Sequence, residues 1–100
     1  MGAQQFQIYA TGTNPQQAFT NAVKECRYYN GHGGYTGTIA EKQTFTMASS
    51  IPLSELEAQS LIDKTVDTTY TDKWGPAGCI QIKPSNQQFN TYIFYGWASC

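Results

Sequence analysis

The chain has 100 residues, 40% hydrophobic, 14% aromatic and only 13% charged, with six basic and seven acidic side chains for a formal net charge of −1. That length suits one domain, residues 1–100, with one core, and a charged fraction far below the roughly 25% usual in globular chains leaves the surface to Thr, Gln, Asn, Ser and Gly. Disorder, generic binding to a nucleic-acid backbone and acidic mimicry of nucleic acid are all disfavoured, because aromatics are many, no Lys/Arg run exists and the acidic excess is slight.

In chain order, "QQFQIYATG" alternates. Phe6, Ile8 and Ala10 point one way and Gln5, Gln7 and Tyr9 the other, which predicts a strand with one buried face, ended by Gly12 and Thr13. "NPQQAFTNAVKECRYYNG" predicts a helix. Asn14 caps it, Pro15 suits the first helical position, and Gln17 completes an N-x-x-Q variant of the capping box. Phe19, Ala22, Val23 and Cys26 make one apolar stripe, and Asn30-Gly31 stops the helix.

"GGYTGTIAEKQTFTMAS" reads as a long strand rich in Thr and aromatics, with Tyr35, Ile39, Phe45 and Met47 buried. Strict alternation would bury Glu41 and Gln43 as well, so a bulge or bend is expected there, or else a special role for Glu41. In "IPLSELEAQSLIDKTVDTTY", Ser54 and Glu57 form a capping box, and Ala58, Leu61, Ile62, Thr65 and Val66 form the stripe of a second helix. "TDKWGPAG" is a loop, "CIQIKP" a short strand stopped by Pro84, and "SNQQ" a polar turn. "FNTYIFYGWASC" is a last strand with Ile93, Tyr95 and Trp97 on one face and Tyr92 and Phe94 on the other.

The expected fold class is therefore α+β, a two-layer sandwich in β-α-β-α-β-β order. Two helices cover one face of a mainly antiparallel four-stranded sheet. Some aromatics are then left on the uncovered face.

Candidate chemistry is sparse. Phosphate-loop patterns are absent from "NGHGGYTG", and its glycines follow a helix whose C-terminal dipole repels an anion. Gly31, Gly33 and Gly34 read as a helix cap and loop, and Gly37 as a notch inside the strand. His32, the only histidine, reads as a loop polar residue, since zinc would need several ligands at short spacing and general-base work a placed carboxylate. Lys42, Asp72 and Lys73 read as solvated, and Cys26 as a core thiol. Trp74 reads as a ring tucked over the sheet edge, or as a partner's anchor. No catalytic residue, metal site or cofactor is assigned.

Cys26, Cys79 and Cys100 are odd in number and lack a C-x-x-C pattern, which fits a reducing cytosol. "MGAQQFQIYA" has no signal-peptide pattern, no run approaches a membrane span, and Phe6 replaces the Ser or Thr of a myristoylation signal.

"GYTGTIAEK" after a helix and "DKWGPAG" before the final strands give a chain that resembles small single-domain α+β proteins encoded by bacteriophages. The resemblance implies an antagonist of host defence acting in the host cytoplasm. It would work by occluding a host protein, anti-CRISPR-like, or by sequestering a nucleotide signal. The first expectation is a non-enzymatic inhibitor that binds a host defence protein through an aromatic, low-charge surface including Tyr35, Glu41, Trp74, Tyr92, Tyr95 and Trp97. The alternative is a homo-oligomeric sponge for a nucleotide-type small ligand, with Gly33, Gly34, Tyr35 and Thr36 supplying N–H, hydroxyl and stacking contacts. An enzyme built on His32 with Glu41 or Cys26 ranks below both.

Overall fold

A computed structural model describes residues 3–30, 39, 42–72, 75–83 and 90–99, with 29, 30 and 99 described by backbone alone. The elements follow the expected order: β1 (Ala3–Gly12), α1 (Pro15–Asn30), β2 (Phe45–Met47), α2 (Glu55–Thr65), β3 (Ala77–Ile82) and β4 (Asn90–Ser99). The fold is α+β, with a four-stranded open sheet in the order β1-β4-β3-β2. It is mostly antiparallel; only β2 and β3 pair parallel. Among the described residues, no helix is long and apolar enough to cross a membrane.

Both helix starts rest on local hydrogen bonds. At α2 the capping box is complete: the Ser54 hydroxyl accepts from Glu57 N at 3.2 Å, and the Glu57 carboxylate accepts from Ser54 N at 3.1 Å. At α1 the Asn14 side chain accepts from Gln17 N at 2.8 Å, but Gln17 Oε1 takes the N–H of Thr13 at 2.6 Å instead of that of Asn14. Helix α1 is therefore capped one residue wider than the N-x-x-Q pattern implies. After α2, the Thr65 carbonyl accepts from the N–H groups of Thr68, Thr69 and Tyr70, which turns the chain back over the sheet.

The expectation that both helices share one face is corrected. Ala18, Phe19, Ala22 and Cys26 of α1 pack with Phe6, Cys79, Tyr92, Phe94 and Ala98. Ala58 and Ile62 of α2, with Val66 and Tyr70 beyond it, pack with Ile80, Ile82, Ile93 and Tyr95. Successive strand residues point to opposite faces, so the alternating residues of β4 meet α1 on one side and α2 on the other. The sheet is the middle of three layers.

Strand order explains this. Pairing directions make β1, β2 and β3 mutually parallel, so both β-α-β connections are crossovers. The first travels from one sheet edge to the other, and the second steps back by one strand. Crossovers of the same hand that travel in opposite directions must lie on opposite faces, and the right hand is close to universal.

The long strand expected over "GGYTGTIAEKQTFTMAS" is the other correction. Strand β2 is only Phe45–Met47, Lys42 and Gln43 lie outside it, and Ile39 is buried but Met47 is exposed. Tyr35, Gly37 and Glu41 lie outside the described residues. β3 begins two residues early, at Ala77, whose N–H bonds the Thr44 carbonyl at 3.0 Å. After Met47 the chain leaves the sheet, and Leu53 rejoins it beside Ile82.

Candidate functional site

Three of the aromatics expected at a contact surface are described, and they do not form one. Tyr92 and Tyr95 are buried on opposite faces of the sheet, each under a helix, and Trp97 is half-buried with Nε1 donating to the Val66 carbonyl at 3.0 Å. The Tyr95 hydroxyl pairs with Thr65 Oγ1 at 2.7 Å and the Tyr70 hydroxyl with Thr46 Oγ1 at 3.1 Å. The Tyr70 and Tyr95 rings meet edge-on, 5.1 Å apart. Burial pushes the Tyr95 phenol up to about 12, against the Thr65 hydrogen bond, and raises the Tyr92 phenol too. The Cys79 thiol is likewise pushed up to about 12 by burial. All three groups are therefore protonated at neutral pH. Gly33, Gly34, Tyr35, Thr36, Glu41, Trp74 and His32 lie outside the described residues.

Lys42, expected in solvent, is instead buried at 3% exposure. Its Nζ donates to the Asp72 carbonyl at 3.1 Å and the Gly75 carbonyl at 2.8 Å. Those two residues also bond each other, Gly75 N to Asp72 O at 3.0 Å, so the ammonium latches both of them together ahead of β3. Burial lowers the Lys42 pKa and the Asp72 charge opposes that. Lys42→Met keeps the aliphatic stem but removes the charged donor to the Asp72 and Gly75 carbonyls. It is expected to cost about 2 kcal/mol, read as a lower urea midpoint at unchanged m-value. An unshifted midpoint would refute the latch.

The open feature lies elsewhere, between the excursion after β2 and the outer side of α2. Ser49 shapes that excursion: its hydroxyl donates to the Ile51 carbonyl at 2.8 Å and accepts from the Ile51 N–H at 3.3 Å. Ile51 is thereby 61% exposed, and Leu56, on the first turn of α2, is 86% exposed. Both line a solvent-open groove of about 790 Å³. Half-buried Ala48, Leu53 and Leu61 form its base, continuous with the core under α2. Ser50, Ser60, Glu57 and Lys64 complete the rim, one acid and one base among hydroxyls. The Glu57 carboxyl is held below the usual carboxylate range by its hydrogen bond from Ser54 N, so the acid is ionised and fixed in place.

Sequence reasoning missed this groove. The available signal was "IPLSEL", where Ile51 and Leu56 flank the cap but fall off the buried stripe of α2. Among the described residues, no group of three or more His, Cys, Asp or Glu is placed to hold a metal ion. Compared with protein-family models, curated proteins and solved structures, the chain gives no match.

Proposed function

We propose that this chain is a non-enzymatic binding protein that docks a protein partner in the groove between residues 48–53 and α2. The observation that carries the reading is the pair of projecting apolar side chains, Ile51 and Leu56, over an apolar base with a nearly neutral rim. Two large aliphatic groups held in water are unfavourable for the isolated chain and favourable once covered. The groove is open rather than enclosed, which suits an apolar ridge of a folded partner better than a small ligand that must be surrounded. The partner class, a host defence protein met in the host cytoplasm, comes from the resemblance of "GYTGTIAEK" and "DKWGPAG" to segments of phage proteins. The low-charge surface kept from that expectation is aliphatic here, not aromatic.

The test compares tagged wild type with Ile51→Ser/Leu56→Ser in host lysate, quantifying each captured protein. Both positions are exposed, so the variant keeps its melting temperature. One host protein is expected to be enriched by wild type and its purified form to bind the variant at least about tenfold more weakly, since each truncated anchor removes upwards of ~1 kcal/mol. Equal affinity of that protein for both forms would overturn the proposal.

A further inference from the structure

The two edges of the sheet differ. β2, at one edge, is three residues long. β1, at the other, runs ten residues and pairs with β4 without interruption, from Ala3 opposite Ser99 to Gly12 opposite Asn90. Among the described residues no strand pairs with its outer side. Long edge strands are normally blunted by a charge, a proline or a bulge. "AQQFQIYATG" contains no charge and no proline, and its register with β4 contains no bulge. Asn21 Nδ2 donates to the Thr11 carbonyl at 3.3 Å, near the end of the strand only.

We infer that β1 pairs with β1 of a second copy, antiparallel about a two-fold axis beside Ile8, joining two four-stranded sheets into one. Two observations favour a second copy over an unrelated strand: the edge is neutral, so a copy meets no like charge, and its α1-side residues are apolar and cover one another. Directly opposed residues on antiparallel strands share a face, so the α1-side residues of one copy must meet those of the other, which puts the axis beside a residue and not between two. Centring on Ile8 sets Ile8 against itself and Phe6 against Ala10. Ile8 and Ala10, half-buried in one copy, are then covered. A recess of about 320 Å³ lined by Phe6, Ile8, Cys26 and Ile39 borders the same edge. The groove around Ile51 and Leu56 lies toward the opposite edge, so a dimer presents it twice, and the inference does not rest on the proposed function.

In this register Gln5 opposes Thr11 of the second copy, and both are exposed. Sedimentation equilibrium of the intact chain is expected to show a concentration-dependent dimer. Gln5→Lys/Thr11→Lys, which sets lysine against lysine twice, weakens it at least about tenfold. Gln5→Glu/Thr11→Lys, which sets opposite charges together, dimerises at least as tightly as wild type. Circular dichroism melts confirm that both variants fold. A wild type that stays monomeric at every concentration overturns the inference. So do two variants that dimerise equally.

Discussion

Gly78→Ala is expected to lower stability by about 3 kcal/mol, at the upper end of overpacking costs, and the melting temperature by roughly 15 °C. The position looks innocuous, an interior strand glycine where backbone entropy alone predicts that alanine stabilises by about 0.4–1 kcal/mol. The structure reverses that sign. A Cβ on Gly78 would stand 2.6 Å from the ring of Tyr95, its cross-strand neighbour, and 3.0 Å from the ring of Tyr70. Neither ring is free to withdraw. The hydroxyl of Tyr95 is tied to Thr65 and that of Tyr70 to Thr46, and the rings rest edge-on against each other. The glycine is thus the notch that lets α2 and the turn after it close onto the sheet. Urea denaturation of Gly78→Ala, Tyr95→Leu and the double variant measures the coupling. The double variant should be less destabilised than the sum of the singles by about 1 kcal/mol or more. A neutral or stabilising Gly78→Ala would show that the rings yield and that the notch is not needed.

Alkaline unfolding is the second large effect. The Cys79 thiol and Tyr95 phenol, ordinarily near 9.0 and 10.0, are each pushed up to about 12 by burial, and the Tyr92 phenol is raised as well. A raised folded-state value means the folded chain holds protons that the unfolded chain has already released. The stabilisation is therefore complete below the unfolded values and is lost as pH climbs toward the folded ones, at up to about 1.4 kcal/mol per pH unit for each group. Lys42 acts in the opposite sense, because burial lowers its value below 10.5 and its window adds stability as pH rises. One such group does not offset three. Stability is expected to hold level to about pH 9, then fall, with the chain unfolded by about pH 12. Cys79 titrates first, so Cys79→Ala, although weaker throughout, should flatten the urea midpoint between about pH 9 and 10. An unaltered slope over that interval would remove the thiol from the account.

The chain order and both helix starts were readable from residues near in sequence, because caps and stripes are made within a turn or two. Asn14 and Ser54 accept from N–H groups three residues on, and the alternation of β4 placed its side chains on two faces before any partner was known. Of the candidate site, little was legible. Gly33, Gly34, Tyr35, Thr36, Glu41 and Trp74 lie outside the described residues, while Tyr92 and Tyr95 are interior because each face of β4 has its own helix. That assignment depends on strand order, which no local pattern encodes: placing β1 and β2 at opposite edges makes the two crossovers run in opposite directions. The same distance dependence hides Lys42, whose partners are thirty and more residues away, and Gly78, whose need for a bare Cα is set by a ring on the neighbouring strand. Sequence determined the order of the elements and the helix starts, because hydrogen bonds and amphipathic period act over a few residues, but not the extent of β2, which is only Phe45–Met47. Tertiary structure decided which surfaces remain open, because exposure is a property of what the rest of the chain covers.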